Sequence, residues 1–417
     1  FWLKPRASLG IPCRPPSPCS EGAGAMPVLA ALGLLAGAAA AAGTAGGGDA
    51  LALLQGEVRL HDQSEEELDV VSEDMYPVAG DLDWPFQAGQ GVPDVYVHWV
   101  PSVKRDFEPW VYHPASFTIG QAFADLGACV KWTSDRDLEP ILQNVSQAVA
   151  EGRQPVLFAI AFWSKKATPA TRRFLAEFTE AGGYLVLYQS ENMAWVGEKH
   201  LPLVESLAQA YGAKEIWEYS LASLEYYKNI GWNKLPIRYF PPGYVKELDL
   251  GIDLRSPKRN EDQIAFLGRF ESREETMRKR YLEEVGDLLQ TGAWVQTKSE
   301  LEDYVTTYPL QLNNHHAQDC CPSHNAVESF RFAQLVANKA CIISAECLPA
   351  EMEEWEGIVH FVDVAGTRQM VQEVQKDVQK CQTNSYALFK ERFAPARLLN
   401  RTGFEEKFLR LAPHLRK

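Results

Sequence analysis

From residue 95 onward the chain alternates short apolar runs with amphipathic stretches, and it does so in two series separated by a polar break. In the first series the apolar runs are Val95–Val100, Ala128–Trp132, Val156–Phe162, Tyr184–Tyr188, Glu215–Tyr219 and Ile237–Phe240. Between them lie helical patterns over Ser116–Gly127, Leu138–Glu151, Pro169–Ala181, Lys199–Tyr211 and Ser220–Ile230. Thr168 and Pro169 make a cap followed by a proline at the first helical position. Strands that read as continuous apolar runs are buried on both faces, and strict alternation with helices implies a parallel sheet wound on both sides.

Pro241-Pro242-Gly243 turns the chain, and residues 246–262 are polar and charged, the pattern of a linker. The second series has strand patterns at Gln263–Leu267, Ala293–Gln296, Leu310–Asn313, Cys341–Ser344 and Val359–Val362. Its helical patterns cover Glu274–Leu289, Glu300–Tyr304, Ala326–Ala337 and Thr367–Lys380. The fold class expected is therefore α/β, with two Rossmann-like doubly wound domains at 94–245 and 263–384. In such folds ligands bind beyond the C-terminal ends of the strands, so the two domains are expected to face a shared cleft. Residues 385–417 read as a helical segment returning to the first lobe or left as a tail.

The region before residue 94 has a different character. Residues 1–25 are rich in Pro, Gly and Ser and are expected to precede a natural start at Met26. No residue from Pro27 to Ala42 is charged, which suits a signal-peptide core over residues 1–45, an uncleaved anchor, or a disordered Ala/Gly tract. Residues 46–93 read as a flexible acidic spacer. From Glu57 to Asp83 there are ten acidic residues and one Arg, which is −9 of the chain's formal −14. That balance argues against nucleic acid as a partner, because binding phosphate backbones needs clustered Lys and Arg. The leader, together with the sequons Asn144-Val-Ser146 and Asn400-Arg-Thr402, points to the secretory pathway or secretion. The six cysteines after Met26 do not make a disulfide-dense scaffold.

The segment from Leu312 to Glu346 carries the most chemistry. A strand ends in Asn313-Asn-His315-His316, and a helix is expected to open at Asn325-Ala-Val-Glu328. A helix N-terminus offers unpaired backbone N–H groups to a diphosphate. Glu328 and Arg331, three apart, share a face. A carboxylate there can accept hydrogen bonds from a ribose diol, and an Arg can bind phosphate. The same spacing is also that of a capping box. Gly268, Arg269 and Arg273 follow the first strand of the second series, where a Gly admits a phosphate and Arg neutralises it. They also suit a charged helix start capped by Ser272. On the other side, Glu191 lies just beyond a strand and could take a proton from a hydroxyl. His98 ends the first strand and His113 lies in the following loop; either is a candidate base or a structural histidine.

The run LNNHHAQDCCPSHNAVESFRFAQLVANKACIISAE resembles the second-lobe signature of GT-B glycosyltransferases. Ile264–Arg273 resembles the strand that opens that lobe, and Arg238–Tyr244 the crossing into it. Tyr188–Asn192 with Ile216–Ser220 resembles a group of such enzymes in the first lobe. The resemblance covers roughly Asp94 to Val364. It implies a nucleotide-sugar donor held mainly by the second lobe, with Glu328 on the ribose and with His315, His316 and Asn325 in the donor pocket. It departs from the family at Ser344-Ala-Glu346 and at Val336, where many retaining members have a second Glu, so stereochemistry stays open.

The activity so implied is metal-independent transfer of a sugar to a hydroxyl on a glycan, lipid or protein, with no cofactor. Alternatives are a binding protein that keeps both lobes without activity, and another nucleotide-sugar enzyme such as an epimerase. His315, His316, Cys320, Cys321 and His324 are close in sequence, but adjacent residues seldom aim at one metal. Asp81-Leu-Asp83 and Asp135-Arg-Asp137 match a metal clamp of a single-sheet fold, which would leave the second series unexplained.

Overall fold

The computed structural model describes residues 84–86, 91–99, 113–133, 138–160, 169–267, 277–293, 295, 298–314 and 325–416. These fall within one compact unit, Asp74–Lys417. The leader, most of the acidic spacer and both Asp-x-Asp triplets lie outside the described residues. Among the described residues no helix is long and apolar enough to cross a membrane.

The first lobe runs β1 (Val95–Trp99), α1 (His113–Ala124), β2 (Val130–Thr133), α2 (Leu138–Ala150), β3 (Val156–Ile160) and α3 (Pro169–Glu180). It continues through β4 (Tyr184–Gln189), α4 (Met193–Ala210), β5 (Glu215–Glu218), α5 (Leu221–Asn229) and β6 (Ile237–Tyr239). Its six strands lie in the order β2-β1-β3-β4-β5-β6, all parallel. The second lobe runs β7 (Ile264–Leu267), α6 (Met277–Val285), β8 (Leu289–Ala293), α7 (Lys298–Thr307) and β9 (Leu310–Asn313). It then adds α8 (Ser329–Ala337), β10 (Cys341–Ala345), α9 (Pro349–Glu354), β11 (Val359–Val362) and α10 (Thr367–Gln375). Its five parallel strands lie in the order β11-β10-β9-β7-β8. In each sheet the chain starts inside and returns across its first strand, so each has a switch point where strands wind off to both sides.

Period-2 alternation divides the strand residues between two layers. Val95, Val97, Val156, Phe158 and Ile160 join one apolar cluster, while Tyr96, Leu157 and Ala159 join another under α2 and α3. In the second sheet Ala265 and Ile342 belong to the first of these clusters, and Ile264, Phe266 and Ile343 to a third. One continuous core therefore holds residues of both sheets, with a separate layer outside each.

Four of the boundaries that differ from the sequence pattern have a plain local reason. Helix α4 begins at Met193 because Asn192 caps it, accepting from Ala194 N. Helix α6 stops at Val285, before Gly286 at φ +59°, a left-handed position that suits Gly. The strand expected at 293–296 is thereby displaced to Leu289–Ala293. The single helix expected over 367–380 is two, because Asp377 leaves helical geometry and caps the next helix through Lys380 N.

The C-terminal segment forms α11 (Val378–Arg392), α12 (Pro395–Thr402) and α13 (Glu405–Leu411). It returns to the first lobe: Phe408 meets Phe123 at 4.7 Å, and Gln154 N donates to Leu411 O. A disulfide between Cys341 in β10 and Cys381 in α11 ties this segment to the second sheet. It closes a loop with sequence separation 40, for which chain entropy gives about 4 kcal/mol. Reduction with a dithiol should lower the urea midpoint accordingly, whereas a Cys381→Ser variant should show no further loss with reductant.

Candidate active site

Two ends of parallel strands supply the site. Strand β4 ends at Gln189, whose Oε1 accepts from Ser190 N and Glu191 N, so the turn after the strand is pinned from beneath. That pinning fixes Glu191 just beyond the sheet. Its carboxyl is pushed up to about 7, by burial first and then by the charge of Glu328 from the other lobe. At the end of β5, Tyr219 is held well above its ordinary value by burial and then by Glu328 and Glu191. Phe330 of the second lobe packs on Tyr219 at 5.2 Å and on Tyr188 at 6.4 Å. The strand ends of the first lobe therefore meet the start of α8 in the second, and the charge of Glu328 acts on Glu191 from the other lobe.

On the second-lobe side, helix α8 opens at Ser329, three residues later than the expected Ala326. Glu328 occupies the cap position, but its side chain makes no capping hydrogen bond. The capping-box reading is thus corrected: residues 325–328 run irregularly ahead of the helix and leave the Glu328 carboxylate uncommitted to the backbone. Asn325 contributes its carbonyl, which accepts from Leu348 N at 3.1 Å. Arg331, in the first turn, donates to Asn313 Oδ1 at 2.6 Å, and Asn313 Nδ2 donates to Ser344 Oγ at 3.0 Å. This chain joins the helix to the ends of β9 and β10, so the guanidinium is held in place by the sheet.

A second cation stands beside it. Arg278, near the start of α6, is buried, with its Nε donating to Asn314 Oδ1 and its guanidinium 5.1 Å from the Phe266 ring centre. Burial first and then the like charge of Arg331 bring its pKa down to about 10, against the opposing charge of Glu328. Arg278, Arg331 and Glu328 thus form one electrostatic group. Sequence reading missed Arg278, although Arg278, Tyr281, Leu282 and Val285 follow helical spacing and the last three are apolar or aromatic. A cation on a buried helical face was the available signal.

His98 does not belong to the site, which corrects the candidate base. Its ring is fully buried, Nδ1 lies 3.0 Å from Thr133 Oγ1, and Phe174 packs on it. Burial lowers its pKa to about 3, so it is a neutral core residue. His113 behaves alike, lowered to about 3 by burial and by Lys298, and stacks on Phe117. Gly268, Arg269, Arg273, His315 and His316 lie outside the described residues, as do Cys320, Cys321 and His324. Among the described residues the group with metal-ligand spacing is Cys341, His360 and Cys381, whose two sulfurs are joined in the disulfide.

No protein-family model matches the chain, and no curated protein matches it. Similar solved structures include HepE from Anabaena in complex with UDP-glucose, 10% identical over 75% of this chain and 99% of that one, with a TM-score of 0.44. T4 phage BGT in complex with its UDP-glucose substrate is 10% identical over 75% and 98%, with a TM-score of 0.46. An α,α-trehalose-phosphate synthase from Burkholderia vietnamiensis is 10% identical over 78% and 99%, with a TM-score of 0.42. The strand orders, with the first sheet's C-terminal ends meeting the start of α8, give this chain two Rossmann-like domains facing a cleft, the GT-B architecture.

Proposed function

We propose that the chain is a glycosyltransferase moving a sugar from a nucleotide-sugar donor to a hydroxyl acceptor without a metal ion. The observation that carries this is the charge of Glu328, on the second lobe, acting on Glu191 of the first, with Arg331 and Arg278 grouped electrostatically with Glu328. The second lobe supplies a carboxylate for the ribose diol and two guanidiniums for a diphosphate. Helix geometry also leaves the first-turn N–H groups of α8 without intrahelical partners. The first lobe supplies a carboxyl poised near neutrality. In the reaction the acceptor oxygen attacks the anomeric carbon and its proton passes to Glu191. The bond from that carbon to the diphosphate breaks, and the leaving charge settles on the arginines and helix end.

The same reading puts the protein in the secretory lumen or outside the cell. The Cys341–Cys381 disulfide supports this, since such bonds persist in oxidising compartments. Membrane attachment through residues 27–42 is part of the proposal. The acceptor would be a glycan, lipid or protein.

A panel of UDP- and GDP-sugars, read by thermal shift and then by transfer or hydrolysis, tests the reading. Absence of binding across the panel would overturn it, and binding without turnover would leave a binding protein. Glu328→Ala should weaken the binding of the nucleoside diphosphate about tenfold to a hundredfold, the scale of hydrogen bonds to a charged group. Unchanged affinity would remove Glu328 from the ribose.

A further inference from the structure

Glu351, on α9 of the second lobe, is fully buried and unused by the chemistry above. Its Oε1 accepts from Ala222 N at 3.1 Å, and its Oε2 accepts from Val327 N. Ala222 lies in the first turn of α5 in the first lobe, a helix capped by Ser220, which accepts from Ser223 N. Val327 directly precedes Glu328. One carboxyl thus spans the two lobes at the point where the proposed donor ligand and the proposed base come together. The first turn of α5 gives it a favourable seat, because unpaired N–H groups there attract an acceptor.

We propose that Glu351 is a positioning residue that fastens segment 325–328 of the second lobe to the first lobe at the start of α5. The fastening stands on geometry alone, while its effect on turnover rests on the donor-site reading. Two contacts fix the segment: Leu348 N holds the Asn325 carbonyl from within the second lobe, and Glu351 holds Val327 while reaching across. The first contact can shape the segment but cannot orient it toward Glu191. Of these two hydrogen-bonded contacts, the second reaches the other lobe. Glu351 therefore sets the distance between the group that grips the donor and the group that receives the proton.

Glu351→Gln tests this with little change in volume. The carboxamide keeps one acceptor oxygen, but its NH₂ must face a backbone N–H, so one of the two contacts becomes donor against donor. Hydrogen–deuterium exchange on the full chain, without ligand, is the first readout. The variant should exchange about tenfold faster in peptides covering both 221–224 and 326–331, with Glu351→Asp intermediate. Acceleration in the second-lobe peptide alone, or in neither, would overturn the proposal. Should neither variant fold, the wild-type chain still decides: fast exchange at the Ala222 or Val327 amide would show that no carboxyl holds it. In turnover, kcat should fall tenfold or more while the Kd for UDP moves less than threefold. A loss of UDP affinity that matches the loss of kcat would assign Glu351 to local structure of the donor site instead. If no nucleotide sugar is turned over, the functional reading fails and the exchange result alone judges the latch.

Discussion

Glu191→Gln should lower kcat about 10²- to 10⁴-fold, the range for loss of a positioned general base, with little change in donor affinity. The acceptor hydroxyl must lose its proton as it attacks, and among the described cleft residues Glu191 is the first-lobe carboxyl whose pKa is brought near neutrality, to about 7. The sign of the pH effect follows. Burial and the neighbouring Glu328 both favour the protonated form, which cannot act as a base. The active fraction therefore grows as pH rises through about 7, and log kcat should climb with unit slope below that pH and level above it. Glu191→Gln should abolish this limb. Glu328→Gln offers an independent check: it removes the like charge, so the limb should move to lower pH while donor binding weakens. A limb unmoved by Glu328→Gln would mean that the two carboxyls do not face each other in the working enzyme.

The lobes were legible because a buried parallel strand has little choice of composition. Val156–Ile160 and Tyr184–Gln189 are buried along their whole length, and continuous apolar runs betray such strands. The site was legible only in part. Glu191 and Glu328 stand just beyond β4 and just before α8, positions that the alternation of elements locates. The start of α8 was misread because Ala326 and Val327 look like the first apolar residues of a helix. They are buried instead in the irregular approach to it. His98 was misread for want of a parity argument: it shares a face of β1 with Tyr96, which belongs to the outer layer with Phe174. Glu351 could not be found in sequence at all. Its partner Ala222 is 129 residues away, and nothing local to either residue requires the pairing.

Stability should depend most on a carboxylate remote from this chemistry. Glu215, at the start of β5, is fully buried and accepts from Arg238 Nε at 2.6 Å, Lys407 Nζ at 2.8 Å, Trp217 Nε1 at 3.1 Å and Tyr184 OH at 3.0 Å. Burial works to raise its pKa, but the hydrogen bonds from Arg238, Lys407 and Trp217 overcome it and hold the carboxyl below its usual range. Because Lys407 belongs to α13, this one group also anchors the returning C-terminal helix to the first sheet. Removing one partner of a buried ion pair costs about 3–5 kcal/mol. Arg238 and Lys407 keep 22% and 31% of their side-chain surface, so water can partly solvate them and Glu215→Gln should fall near 3 kcal/mol. Lys407→Met should cost less, because the carboxylate keeps Arg238. A folded-state pKa below the unfolded one means that the contribution is whole above the unfolded value, near 4.3. It is lost as pH falls through the folded value. The wild-type urea midpoint should therefore drop across that acid window more steeply than the midpoint of Glu215→Gln. Equal slopes would show that the cluster gives no net stability, while UDP affinity at neutral pH should be the same in both chains.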